Sequence, residues 1–125
     1  MTAVEVFELT SQGGATDFAD VVGICNEIGS YCLIGGLAVN CYVEPVYTMD
    51  ADLVLVAEQL PQLSVRLADA GFKVERFPHS INAQRGGSQL RIQFTTDARY
   101  EDFPVRATRQ TVLGESVMVA SLEDL

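Results

Sequence analysis

The sequence predicts an α/β domain of the α+β kind with a mixed sheet, and three observations carry that expectation. Segments whose apolar residues recur at helical spacing alternate with short, wholly apolar runs. The run Asp52-Leu53-Val54-Leu55-Val56 has no polar alternation after its first residue, the pattern of a central strand covered on both faces. Two turn signals, Pro78-His79-Ser80 and Gly86-Gly87-Ser88, separate three strand-like segments, so that part of the sheet is antiparallel.

Taken in order, Ser11-Gln12-Gly13-Gly14 sets off an N-terminal segment, residues 1–15, from a single domain over residues 16–125. Phe18, Val21, Val22, Cys25 and Ile28 form one helical stripe, capped at Thr16 or Asp17 and stopped by Gly29. Tyr31-Cys32-Leu33-Ile34 reads as a buried strand opening onto Gly35-Gly36, and residues 37–42 as a short helix closed before Pro45. After the central strand, Leu60, Leu63, Leu67 and Ala70 mark a helix that stops at Gly71. Residues 72–77, 81–85 and 89–95 read as strands, and Val117-Met118-Val119-Ala120 as one more. Ser121-Leu122-Glu123-Asp124 looks like a capped helix start, which permits a further C-terminal helical part.

Composition removes several classes of function. With 125 residues, 48% of them apolar, the chain can bury one core. A net charge of −9 and a pI near 4.3 argue against direct nucleic-acid binding and against an anionic membrane surface, which reward clustered Lys and Arg. No run approaches the roughly twenty apolar residues of a spanning helix, and the N-terminus lacks a signal-peptide pattern, so a cytoplasmic protein is expected. Cys25, Cys32 and Cys41 form no C-x-x-C pair and are expected as free, buried thiols. With His79 as the single histidine, a His-pair metal site is excluded and a hydrolytic triad would hang on one loop residue.

The chemistry concentrates between Ile34 and Val56. A glycine pair after a strand lets backbone approach a phosphate, and the amides of the following helix favour an anion there. Asp50 and Asp52, two apart in an extended chain, project to one face and can hold Mg²⁺ on a triphosphate, because hard cations share oxygen ligands with substrate phosphates. Singly, Gly-Gly is usually a turn and Asp-x-Asp a solvated strand entrance. It is their order, the 13 residues between them and the apolar runs on both sides that make the joint reading. The segment lacks both the G-x-G-x-x-G spacing of a dinucleotide fold and a Walker Gly-Lys-Ser/Thr.

These residues, Ile34-Gly35-Gly36-Leu37-Ala38 through Thr48-Met49-Asp50-Ala51-Asp52-Leu53, resemble the nucleotidyltransferase superfamily, nearest to its minimal nucleotidyltransferases and AbiEii-type toxin domains. The resemblance implies helices packed on one side of the sheet, with Gly35, Gly36 and Thr48 at the nucleotide. It puts Asp50 and Asp52 on Mg²⁺ or Mn²⁺ and implies transfer of a nucleoside monophosphate from an NTP to a hydroxyl. A helical partner protein or C-terminal domain, and a toxin–antitoxin role, are implied at the same level. The family's third carboxylate falls at Gln93, which is neutral and cannot act as a base, and the usual loop glycine and arginine appear as Glu44 and Tyr47. Asp97, four residues beyond Gln93, would lie about 13 Å from it and so cannot replace the acid. A catalytically degenerate binding or regulatory module is therefore the alternative. Arg85, Arg91 and Arg106 are expected to solvate a sheet edge ahead of facing phosphates, Asp17, Asp20 and Glu27 to form a solvated helix face, and Asp97, Glu101 and Asp102 an acidic loop.

Overall fold

The chain opens with a self-capped helix, α1 (Ala3–Thr10), where Thr2 Oγ1 accepts the Glu5 N–H at 3.1 Å and the Glu5 carboxylate accepts the Thr2 N–H at 3.2 Å. The computed structural model describes residues 2–43 and 48–125. Phe7 of α1 is buried, and so is Ser11, whose hydroxyl donates to the Phe7 carbonyl and accepts the Gly14 N–H. The Ser11 carbonyl takes the Gln89 N–H at 2.7 Å, so residues 2–15 pack into the same core as the rest of the chain.

α2 (Gly14–Ile28) buries the stripe that its spacing predicts and ends at Gly29, whose φ of 125° requires glycine. There follow β1 (Tyr31–Ile34), α3 (Gly35–Val39), β2 (Asp50–Leu55), α4 (Leu60–Asp69), β3 (Lys73–Phe77), β4 (Ser80–Gln84), β5 (Arg91–Thr95), α5 (Phe103–Arg106), β6 (Thr108–Val112) and β7 (Glu115–Val119). The seven strands form one mixed sheet in the order β3-β4-β5-β2-β1-β7-β6. β2 runs antiparallel to β1 and parallel to β5, β7 is parallel to β1, and both hairpin pairings expected of β3, β4 and β5 are antiparallel.

Three differences from the sequence expectation have physical causes. β5 starts at Arg91, not at residue 89, because the Gln89 N–H leaves the ladder for Ser11 and the Leu90 N–H is taken by Ser88 Oγ at 3.1 Å. β2 starts at Asp50, two residues earlier than the apolar run, so both aspartates lie within the strand. The edge strand β6 has no counterpart in the sequence expectation: in its sequence Thr-Arg-Gln-Thr-Val only Val112 is buried, so it carries little apolar signal.

The main core lies between one face of the sheet and helices α1 to α4. Phe18, Leu33, Leu53, Leu63, Leu67 and Phe94 are fully buried there, each contributing about 2–3 kcal/mol of apolar burial. On the opposite face a smaller cluster of Cys32, Val54 and Ala120 is covered by Tyr100 and by Phe103 of α5, whose rings meet edge to face at 5.2 Å. That cover protects the later part of β2 and leaves its first half open, and the aspartates emerge there.

Candidate functional site

The backbone at the end of β1 lies directly against a carboxylate. Gly35 has a φ of +73°, and a Cβ on it would stand 2.6 Å from Asp52 Oδ2, so only glycine gives both the conformation and the space. A Cβ on Gly36 would touch Thr48 at 3.4 Å, and Thr48 Oγ1 accepts the Asp50 N–H at 3.2 Å. The antiparallel register puts Ile34 opposite Asp52. Gly35, Gly36, Thr48, Asp50 and Asp52 are thus brought together. No side chain caps α3, whose first amides begin at this turn. Glu44, Pro45 and Tyr47 lie outside the described residues.

Asp50 and Asp52 share one face of β2, with Ala51 and Leu53 pointing into the core between and beyond them. Partial burial, then the negative charge of Asp50, raises the Asp52 carboxyl above its ordinary value. The parallel register sets Arg91 beside Asp50 and Gln93 beside Asp52. Arg91 Nε meets Asp50 Oδ1 at 2.8 Å, so Arg91 faces this site, contrary to the expectation that it solvates a sheet edge. Gln93 stands where the sequence placed it, as a neutral neighbour of Asp52. No described residue supplies Asp52 with a hydrogen-bond donor or a cation in the way Arg91 serves Asp50.

Two hollows meet at Asp52 and Gln93. The larger, about 700 Å³, spreads over the polar face of β3, β4 and β5, with Lys73, Glu75, Asn82, Gln84 and Arg91 along it. The smaller, about 300 Å³, lies between Gly35 and the Arg99-Tyr100 turn. Asn82 completes a row with Gln93 and Asp52 across three strands, and the alternation of β4, which buries Ile81 and Ala83 and exposes Asn82 and Gln84, is the signal that could have pointed to it. Among the described residues no three His, Cys, Asp or Glu side chains converge as a metal cluster. The two aspartates are adjacent hard oxygen donors on one face of β2, a set that could hold a divalent cation.

Several charged residues are structural. Asp17 is 4% exposed and so not on a solvated face. Arg85 donates through Nε to Asp17 Oδ1 at 2.8 Å, pairs with Asp20 at 2.7 Å and stacks 4.5 Å from the Phe72 ring, which ties the end of β4 to α2 instead of solvating an edge. Arg106 donates through Nε and Nη2 to the two carboxylate oxygens of Asp124 and lines neither hollow. Glu27, exposed as expected, pairs with Arg66, and Asp97 caps its own loop through the Arg99 N–H at 2.9 Å.

No family model and no curated protein matches the chain. Solved structures do. The solution structure of the antibiotic-resistance factor ANT(2'')-Ia matches with a TM-score of 0.70 at 17% identity, over 91% of this chain and 68% of that one. A complex of ANT(2'')-Ia with adenylyl-2''-tobramycin gives 0.64 at 14% identity, over 86% and 68%. The lincosamide antibiotic adenylyltransferase LnuA with bound lincomycin gives 0.57 at 15% identity, over 98% and 82%. The seven-stranded mixed sheet with its aspartate-bearing central strand is therefore a nucleotidyltransferase-type fold, similar to these structures at 14–17% sequence identity.

Proposed function

We propose that this chain is a nucleotidyltransferase domain that moves a nucleoside monophosphate from an NTP to a hydroxyl of a small polar acceptor. The observation that carries the reading is the close approach of Gly35 to Asp52, with Asp50 on the same strand face: a glycine turn set against one member of a carboxylate pair. Gly35, Gly36 and Thr48 seat the triphosphate; Asp50 and Asp52 hold Mg²⁺ or Mn²⁺. That ion, when bound, would neutralise phosphate charge and polarise the α-phosphorus. The acceptor lies in the larger hollow, whose size suits a drug-sized molecule. Its hydroxyl oxygen bonds to the α-phosphorus as the bond to the pyrophosphate oxygen breaks, pyrophosphate leaves, and the hydroxyl proton passes to water, since Gln93 cannot accept it. The neighbouring structures carry lincomycin and adenylyl-2''-tobramycin, which supports a small-molecule acceptor here.

A second reading, a degenerate module that binds nucleotide or a helical partner in a toxin–antitoxin pair, is favoured by one observation: Gln93, in register with Asp52, stands where the resemblance expects an acid. Calorimetry with ATP and GTP, with and without Mg²⁺ or Mn²⁺, tests the site. Metal-dependent binding that disappears in Asp50→Ala/Asp52→Ala supports both readings, and absence of binding to any nucleotide refutes the first. Gln93→Asp then separates them, because it raises transfer only where the rest of the machinery is intact. The acidic chain fits a small-molecule acceptor better than nucleic acid. Among the described residues no helix is long and apolar enough to cross a membrane.

A further inference from the structure

The open face of β2 carries two carboxylates but only one resident cation among the described residues. The ladder fixes which carboxylate receives it. Arg91 and Asp50 are register partners on adjacent parallel strands, and the Arg91 N–H is bonded to the Met49 carbonyl at 2.9 Å, so the backbone holds the arginine beside Asp50. Its Nε then reaches Asp50 Oδ1 at 2.8 Å, while Asp52 faces the neutral Gln93. The pair is open to water, the two side chains being 71% and 50% exposed, so it is held loosely and exchanges partners at small cost.

We propose, resting on the nucleotidyltransferase reading of this site, that Arg91 is a positioning residue that makes metal and nucleotide load together: it occupies Asp50 in the empty site and transfers to the triphosphate when the metal–nucleotide complex arrives. A cation arriving alone must share Asp50 with a guanidinium and meets its repulsion. A cation arriving on a triphosphate brings an excess of negative charge, and the guanidinium then has phosphate oxygens to bind, which it does through paired N–H donors. Each ligand therefore improves the site for the other, and the coupling is reciprocal. The Arg91 side chain already lines the larger hollow together with both aspartates, so the exchange needs rotation of one exposed side chain and no movement of the sheet. The simple alternative, that Arg91 stabilises the sheet edge, gives no such coupling.

The test is titration of free Mn²⁺, followed by its paramagnetic resonance, with and without an α,β-methylene ATP analogue that cannot transfer its nucleotide. The wild-type chain is expected to bind Mn²⁺ weakly alone and about 10-fold or more tightly with the analogue. Arg91→Gln is expected to bind Mn²⁺ alone roughly 5- to 10-fold more tightly, because a positive charge a few ångströms from the ion has gone, and to lose most of the coupling. Arg91→Lys keeps the charge but not the paired donors, and is expected to bind Mn²⁺ alone as weakly as the wild-type chain. Mn²⁺ affinity unchanged in Arg91→Gln, or Mn²⁺ alone bound as tightly by Arg91→Lys as by Arg91→Gln, overturns the role of Arg91. Asp52→Asn separates the levels: if it abolishes Mn²⁺ binding while Arg91→Gln has no effect, the metal site stands and only this inference fails. If Asp52→Asn leaves Mn²⁺ binding intact, the site itself is elsewhere.

Discussion

Replacing Gly35 by alanine tests the joint between fold and site most directly. The backbone there has a φ of +73°, which costs an L-residue about 1–2 kcal/mol, and the new Cβ would stand 2.6 Å from Asp52 Oδ2, a distance at which the carboxylate must move. For 125 residues the unfolding entropy puts about 4 °C of Tm on each kcal/mol, so Gly35→Ala is expected to lower Tm by about 4–8 °C. Because the clash is with the carboxylate itself, metal-dependent nucleotide binding should fall by far more than the stability loss explains. Gly23 is the control. It lies inside α2, exposed, with nothing within 4 Å of where a Cβ would stand, so Gly23→Ala should raise Tm by about 4 °C through helix propensity of about 1 kcal/mol and leave binding unchanged. Thermal unfolding and calorimetry on both variants decide the matter. A Gly35→Ala protein with wild-type Tm and wild-type nucleotide affinity would refute the reasoning about this turn.

Other outcomes follow from the same structure. Arg85→Ala leaves the Asp17 carboxylate buried without its partner and should cost about 3 kcal/mol in a chemical denaturation experiment, part of which the double variant Arg85→Ala/Asp17→Asn recovers. Asp52 has a folded-state carboxyl above its unfolded value, so its charged form weakens folding at neutral pH and that penalty fades as pH falls through the raised value; Asp52→Asn should stabilise the metal-free protein near neutrality and lose this advantage in acid. Since Asp50 is the second cause of that shift, Asp50→Asn should bring the Asp52 titration, read by carboxyl carbon NMR, back toward an ordinary aspartate. Burial pushes the Cys25 and Cys32 thiols up to about 12, so a disulfide reagent at pH 8 should label the half-buried Cys41 first in the native protein and all three after denaturation; fast labelling of Cys25 would contradict the packing of α2.

Much of the site is legible in the sequence because its signals are local. The helical stripe of α2, the apolar run of β2 and the glycine pair after β1 each follow from short-range periodicity or backbone freedom, and alternation along a strand alone puts Asp50 and Asp52 on one face. The position of Gln93 is legible too, because the apolar alternation of Leu90, Ile92 and Phe94 fixes its face and the resemblance fixes its neighbour. What sequence could not supply is anything decided by pairing between distant segments. Whether Arg91 solvates an edge or neutralises Asp50 depends on the parallel register of β5 on β2, a contact across 41 residues. The Asp17 that spacing puts on a helix surface is buried because Arg85, 68 residues away, closes over it against Phe72. The polar strand β6 exists because β7 offers a free edge, not because its residues favour one. Local chemistry therefore determined which residues could serve a phosphate and a metal, and only the tertiary structure decided which charges stand beside them, since ladder register and side-chain reach are properties of the folded sheet.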